Sequence, residues 1–229
     1  MIIFINDRPV QISQMKKARE LSANPHFDHI IDAHLSSIKG SDFHGHVLVL
    51  NATAITAEKV FNFLNNTDFA ELQSLTILAN DEMAVEERIK KMYTIVKAAG
   101  GVVQKNDSIL LMLRRGKWDL PKGKLDNDEK SRKAALREVQ EETGVVAELG
   151  EKLCVTWHTY TMNNKMILKR TKWYTMTCAD DSQMKPQAEE DITALNWFTE
   201  SDVKKSMVNS FSSIRYVIDC YYKKTPAVN

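Results

Sequence analysis

The alternation of apolar and polar positions divides the chain into two halves of different character. In the first half, the apolar runs MIIFI and PVQI flank the turn sequence Asn6-Asp7, which predicts two short strands joined by a turn. The compact runs VLVL at 47–50 and LTIL at 75–78 predict two further strands. Each run is followed by a polar segment with helical spacing. We therefore expect a small α/β domain over residues 1–95.

Two segments of this half repeat apolar residues at the spacing of an α-helix. The first presents one apolar face, made of Ala57, Val60, Phe61 and Leu64. The second, from Asp81 to Ala98, has acidic residues early and lysines later, an order that the helix dipole favours. The pattern of apolar and polar positions changes just before Gly100, so we expect a second domain over residues 96–229.

The second half alternates strands with a central helix, a pattern typical of a mixed α/β domain. A basic, aromatic loop from Arg114 to Lys124 precedes an acidic helix predicted over residues 131–143. A last amphipathic helix runs through Phe211, Ile214, Val217, Ile218 and Tyr221. Strands are predicted at 101–103, 109–113, 153–160, 166–178 and 192–198.

Composition narrows the classes of function. The chain has 229 residues, 31 basic and 30 acidic, with a net charge of +1, so no global field indicates a nucleic acid or an anionic membrane as partner. Residues 1–95 show no helix-turn-helix or basic recognition helix.

Cysteine usage and the N-terminus suggest an intracellular protein. The three cysteines, Cys154, Cys178 and Cys220, lie far apart without CxxC spacing, which predicts reduced thiols rather than a zinc site. The N-terminus lacks a basic flank and a long apolar run, so we expect no signal peptide, no membrane span and a cytoplasmic location.

The stretch REVQEETG at 137–144 places Glu138, Glu141 and Glu142 on one helical face, because positions i, i+3 and i+4 are neighbours. Like charges at this spacing repel by a few tenths of a kcal/mol per pair. One interpretation is a solvated acidic face balanced by nearby basic residues. The other is a site for a hard divalent cation such as Mg²⁺, which prefers carboxylate oxygen.

The spacing upstream favours the cation site. Gly123 is followed by five residues, Glu129, seven residues and then REVQEETGV, which matches the Nudix box GX5EX7REUXEEXGU with U aliphatic. Over residues 97–222 the chain therefore resembles a Nudix hydrolase.

The resemblance implies an α/β/α sandwich with a mixed sheet, in which a loop, helix and loop hold Mg²⁺ or Mn²⁺. Carried onto this chain, Glu138, Glu141 and Glu142 are the metal ligands and catalytic residues. Four residues support the box: Gly123 and Gly144, which is expected to end the helix, and Glu129 and Arg137, which are expected to pair. Family members cleave a diphosphate linked to another moiety through attack of water on one phosphorus.

The resemblance also suggests a catalytic carboxylate from a later loop. The acidic turn before Ile192 favours Glu190, with Glu189 as the rival and a solvated turn as the alternative. On an extended segment, adjacent residues point to opposite sides, so only one of the two is expected to face the site.

Candidate substrate contacts come from the basic loop and from one tyrosine. Arg114, Arg115, Lys122 and Lys124 are expected to contact phosphate oxygens, with ordinary solvated charge as the alternative. Tyr160 lies close to where dinucleoside polyphosphate hydrolases carry a tyrosine, and core packing explains it equally well. For Trp118 we expect core packing rather than stacking on a nucleobase.

The sequence motif WDLPKGK at 118–124 is similar to that of Nudix enzymes acting on highly phosphorylated small molecules. We expect Mg²⁺-dependent hydrolysis of a diphosphate linkage in a nucleoside or dinucleoside polyphosphate. The alternatives are a diphosphoinositol polyphosphate or nucleotide-sugar hydrolase, and a nucleotide-sensing regulatory protein. Residues 1–95 are then a signalling module or a scaffold that forms a homodimer.

Overall fold

The computed structural model describes residues 1–17 and 26–224, and their contacts divide the chain into two units. The first unit is made of Met1–Ile95 together with Trp157–Leu168. The second is made of Val96–Thr156 and the described residues from Lys169 onward. The division falls after residue 95, yet one internal segment groups with the first unit, and the hydrophobic pattern of that segment gives no reason to expect this.

The described residues of the first unit form a sheet and two α-helices. Its elements are β1 (Ile2–Ile5), β2 (Arg8–Gln14), β3 (His29–Asp32), β4 (Gly45–Leu50), α1 (Ala54–Asn66), β5 (Leu72–Ala79) and α2 (Glu82–Lys91). Strands β1 and β2 are antiparallel around Asn6 and Asp7, whose φ angles of 50° and 62° make the tight turn. Strand β5 pairs in parallel with both β2 and β4, and β3 pairs in parallel with β4.

Local sequence explains where the helices of this unit begin and end. The hydroxyl of Thr53 accepts a hydrogen bond from the Thr56 N–H and caps α1, which buries the apolar face predicted for it. The prediction that the second helix reaches Ala98 is wrong, because α2 ends at Lys91 and a strand begins at Thr94. The run Thr94-Ile95-Val96 is β-branched, which favours a strand.

The second unit holds the remaining elements. They are β6 (Thr94–Lys105), β7 (Ser108–Arg114), β8 (Lys117–Asp119), β9 (Lys122–Lys124), α3 (Ser131–Thr143), β10 (Val146–Met162), β11 (Lys165–Asp180), β12 (Ile192–Thr199), α4 (Glu200–Ser206) and α5 (Ser212–Lys224). Its strand order is β12, β7, β6, β11 and β10, with β8 beside β7 and β9 beside β6. The first residues of β6 and β11 and the last residues of β10 belong to the first unit. There β10 lies parallel to β1, with Trp157 opposite Ile3.

Helices cover both faces of the sheet in the second unit. Adjacent residues on a strand point to opposite faces, and accordingly Trp173 and Tyr174 belong to different hydrophobic clusters. Tyr174 packs with Val139 of α3, whereas Trp173 packs with Val217 of α5. This arrangement confirms the α/β class and places α3 on a rigid surface.

Two further expectations can be compared with the fold. Trp118 packs edge-on against Phe198 with ring centroids 4.7 Å apart, which confirms its role in the core. The three cysteines are free thiols. In the part of the chain that the structure describes, no helix is both long and apolar enough to cross a membrane.

Candidate active site

Helix α3 carries Glu138, Glu141 and Glu142, which we call the acidic cluster, and it ends at a glycine in the left-handed conformation. Gly144 has a φ of 72°, and its N–H donates to the Gln140 carbonyl at 2.8 Å. A Cβ at this position would overlap the Gln183 carbonyl oxygen, so a side chain is excluded here. The N–H of Lys185 donates to the Thr143 carbonyl at 2.9 Å, which holds the loop before β12 against the end of the helix.

Gly123 allows the loop before α3 to lie directly against the acidic face. It is paired with Ala99 in the sheet, and a Cβ at this position would overlap the carboxylate of Glu138. Only a residue without a side chain leaves room for that carboxylate. The glycine of the box therefore sets how closely strand β9 approaches the helix.

Arg137 connects the loop to the helix. Its Nε and Nη2 donate to the two carboxylate oxygens of Glu129 at 3.1 and 2.8 Å, and Nη2 also donates to the Lys124 carbonyl at 3.0 Å. Its Nη1 donates to Glu138 at 3.0 Å and to Glu141 at 2.7 Å. The hydrogen bonds from Arg137 lower the pKa of Glu129 to about 2. One guanidinium thus faces three carboxylates.

Glu142 is the buried member of the acidic cluster. Only 2% of the residue is exposed, and its Oε2 accepts a hydrogen bond from the Lys122 N–H at 2.7 Å. Burial raises its pKa to about 7, although Lys122 acts in the opposite direction. Burial also raises the pKa of Glu138, whereas half of the Glu141 side chain is exposed. The acidic face is therefore not simply a solvated one.

The predicted phosphate contacts in the basic loop differ in their surroundings. Lys122 places its Nζ 2.6 Å from Asp119 Oδ2 in a buried ion pair, so its ammonium is engaged within the loop. Lys124 is exposed. Asp119 is a residue that sequence reasoning missed. The available signal was one acidic residue within a basic loop, three positions before a lysine.

Lys169 on β11 is a second residue that sequence reasoning missed. Burial, together with the charges of Lys122 and Arg114, lowers its pKa to about 8, and it also interacts electrostatically with Glu142. Its charge likewise acts on Glu138. Lys169 lies 27 positions after Glu142 in the sequence, so only the pairing of the strands brings it to the acidic cluster.

The two arginines of the loop interact with the later acidic turn. Arg114 Nη2 donates to Glu190 Oε2 at 2.6 Å and its Nε donates to the Glu190 carbonyl at 2.9 Å. Arg115 Nε donates to Asp191 Oδ2 at 2.8 Å. The charge of Arg114 also acts on Glu142, which relates Glu190 to the acidic cluster through one guanidinium.

The extended geometry assumed for this turn is wrong. Ala188–Glu190 form a 3-10 turn, so Glu189 and Glu190 do not point to opposite sides of a strand. Glu190 is distinguished from Glu189 by its contacts with Arg114. Tyr160 belongs to the first unit, where it lines a cavity of about 150 Å³ with Asn65 and Tyr93.

The donors on α3 fit a hard divalent cation. Within the described ranges, no three Asp, Glu, His or Cys side chains are grouped as a ready-made metal site, since Arg137 binds Glu138 and Glu141. Three carboxylates, those of Glu129, Glu138 and Glu141, nevertheless share Arg137, and the buried carboxylate of Glu142 belongs to the same helix. The excess negative charge and the raised pKa of Glu142 are what a bound Mg²⁺ or Mn²⁺ would compensate.

Comparisons with known proteins identify the family. The NUDIX domain model matches residues 94–216, and a MutT-like protein from Streptomyces ambofaciens is 30% identical over 118 residues, which cover 50% of this chain and 71% of that protein. The chain belongs to the Nudix family. This confirms the resemblance inferred from the box, and the protein is a Nudix hydrolase.

Solved structures of similar fold come from several organisms. A NUDIX hydrolase from Nitrosomonas europaea is 22% identical and covers 57% of this chain and 90% of its own, with a TM-score of 0.45. An Ap4A hydrolase from C. elegans is 20% identical and covers 58% and 99%, with a TM-score of 0.43.

Proposed function

We propose that this Nudix hydrolase cleaves a diphosphate linkage in a nucleoside or dinucleoside polyphosphate, using Mg²⁺ or Mn²⁺ held by Glu138, Glu141 and Glu142. The observation that carries the proposal is the buried carboxylate of Glu142. It lies on a face with more negative than positive charge, and its pKa is raised because the carboxyl group is buried. Such a face destabilises the folded protein when no cation is bound. It is suited to a divalent cation that also binds phosphate oxygens.

A diphosphate ester resists attack because its negative oxygens repel nucleophiles, so the site has to neutralise charge and activate water. When bound, the divalent cation supplies both effects. The side chains of this chain do the rest. Arg137 and Glu129 brace the helix against the loop, and Gly123 keeps the backbone clear of Glu138.

The cationic side of the site is suited to phosphate oxygens. Lys169 and Arg114 act electrostatically on Glu142, and they would face a phosphate held at the acidic cluster. Glu190 accepts a hydrogen bond from Arg114, and we assign it as the base that takes the proton of the attacking water. Arg114 then orients both the substrate and the base.

The choice of substrate class rests on the sequence WDLPKGK and on the basic residues around the box. In the segment WDLPKGK, Lys122 forms an ion pair with Asp119, and its N–H donates a hydrogen bond to Glu142 on the helix. Both contacts hold the loop in place. Lys124, Arg114 and Arg115 add positive charge along the same loop. A substrate with several phosphates satisfies these cations better than a substrate with one diphosphate.

The test is a hydrolysis screen of the full-length protein, in which the products are separated and identified by chromatography. Dinucleoside polyphosphates, nucleoside triphosphates, nucleotide sugars and diphosphoinositol polyphosphates are incubated with Mg²⁺ or Mn²⁺, with Glu142→Gln and an EDTA-treated sample as controls. We expect fastest turnover of the nucleoside or dinucleoside polyphosphates, no turnover in EDTA, and a strongly reduced rate in Glu142→Gln. Binding without turnover would instead support the nucleotide-sensing alternative. Full turnover after chelation would contradict the metal assignment.

A further inference from the structure

A cavity of about 310 Å³ lies in the second unit, where helix α3 begins. Its polar and charged lining comes from three places in the chain: Lys97 on β6, Glu129 to Ser131 at the helix start, and Arg170 and Lys172 on β11. Four of these side chains are cationic: Lys97, Lys130, Arg170 and Lys172. The cavity has no role in the assignment of the metal ligands or of the base.

Three of the four cations of this cavity, the lysines, take part in no ion pair among the described residues. Its one carboxylate, Glu129, is already bound through both oxygens to Arg137. In residues 1–17 and 26–224, no ion pair within 4.0 Å includes Lys97, Lys130 or Lys172. Several cations that line one concave space repel each other, and a bound anion would remove that repulsion.

The start of α3 adds to the positive potential. The first turn contains no acidic residue, and no side chain caps it, whereas Lys130, Arg132 and Lys133 surround it. Helix α2 of the same chain follows the opposite rule, with Asp81 as its cap and Glu82 in its first turn. Cations near a helix N-terminus are unfavourable, because they add to the positive end of the helix dipole. The free N–H groups of such an end bind phosphate well.

The cavity is connected to the acidic cluster through one residue. Glu129 lines the cavity and also holds Arg137, which contacts Glu138 and Glu141. Ser131 precedes Glu138 by seven residues on α3, which corresponds to about 10 Å along the helix at 1.5 Å per residue. A substrate whose diphosphate lies at Glu138 can therefore place further phosphates in the cavity.

We propose that this cavity binds phosphate groups of the substrate beyond the diphosphate that is cleaved, and that it selects substrates which carry such additional phosphates. The inference rests on the proposed function, because it takes the cleaved diphosphate to lie at the acidic cluster. The expected ligand of the cavity is a compact polyanion, which lysines, an arginine and helix N–H groups would bind.

The first test measures anion binding without catalysis. Inorganic triphosphate is titrated calorimetrically into the full-length protein in EDTA, where no cation links phosphate to the glutamates. The variants are Lys97→Gln and Lys172→Gln, and the control is Lys165→Gln, an exposed lysine at the beginning of the same strand as Lys172. We expect each cavity variant to bind on the order of tenfold more weakly, about 1.4 kcal/mol, and the control to match the wild type. Equal affinities in all four proteins would overturn the proposal.

The second test measures selectivity. Values of kcat/KM are compared between a substrate with phosphates beyond the cleaved linkage and a nucleotide sugar without them. The cavity variants should lose roughly tenfold on the first substrate, mainly through KM, and stay within about twofold on the second. Equal losses on both substrates, or weaker triphosphate binding without any change in selectivity, would overturn the assignment to the substrate. If no substrate is hydrolysed, the proposed function fails, while the binding test still reports on the cavity.

Discussion

Arg137 donates one hydrogen bond to each carboxylate oxygen of Glu129, from Nε at 3.1 Å and from Nη2 at 2.8 Å. The two residues lie eight positions apart, one on the loop and one on the helix. Bidentate pairs of this kind fix orientation as well as distance. This pair thus helps to fix the position of the helix that carries the following glutamates against the loop, together with the hydrogen bond from the Lys122 N–H to Glu142.

The Arg137–Glu129 pair makes the stability of the folded protein depend on pH. The pKa of Glu129 is lowered from 4.5 to about 2, so its contribution is present above pH 4.5 and is lost as the pH falls towards 2. Glu129→Gln should lower the Tm by roughly 3 °C or more at pH 7. The difference from the wild type should shrink steadily below pH 4.5. Thermal unfolding of both proteins between pH 2 and pH 7 measures this, and a constant difference would contradict the assigned role of the pair.

The ligand assignment predicts selective loss of activity. Replacing Glu141 or Glu142 by Gln keeps the side-chain shape and removes one charge, so kcat should fall by on the order of 10²–10³. The Lys122 N–H can still donate to the amide oxygen in Glu142→Gln, so the fold should be retained. Mg²⁺ should raise the Tm of the wild type and have much less effect on both variants. A variant with near-normal turnover would not be a metal ligand.

Gly123 offers a steric test of the same site. In Gly123→Ala the new Cβ overlaps the Glu138 carboxylate, which has to move, and we expect a loss in kcat of on the order of 10². Gly40→Ala is the control, because its Cβ would meet only the Phe69 ring at an ordinary 3.7 Å. Steady-state kinetics on both variants checks the prediction. Wild-type kinetics in Gly123→Ala would mean that Glu138 tolerates displacement and is not a ligand.

The two glutamates of the later turn should differ. Glu190→Gln removes the assigned base and should lower kcat by a factor of roughly 10²–10⁴, whereas Glu189→Gln should stay within a few-fold of wild type.

Arg114→Gln separates a base from a positioning residue, because Arg114 holds Glu190 at 2.6 Å. If Glu190 acts only through Arg114, Glu190→Gln and Arg114→Gln should show equal losses in kcat, whereas a base should cost more than its positioning partner. Small, equal effects in both glutamate variants would show that this turn carries no catalytic carboxylate.

Sequence was most informative where function depends on local spacing. The box, the cap at Gly144 and the apolar face of α1 follow from residues within a few turns of each other. The surroundings of the site do not. Lys169 reaches Glu142 only through strand pairing, and the buried partner of Lys122 depends on how its loop packs. Periodicity also does not tell where a helix ends when the following β-branched residues keep the same apolar spacing, as after Lys91.

The parallel pairing of Ile3 with Trp157 has a consequence for the order of folding during synthesis. The strand that completes the sheet of the first unit is synthesised only after Val96–Thr156. Until then one edge of β1 lacks its partner strand, so we expect the first unit to complete its sheet late in translation. The edge of β1 is therefore a candidate site for pairing with another chain until the segment up to Leu168 has emerged from the ribosome.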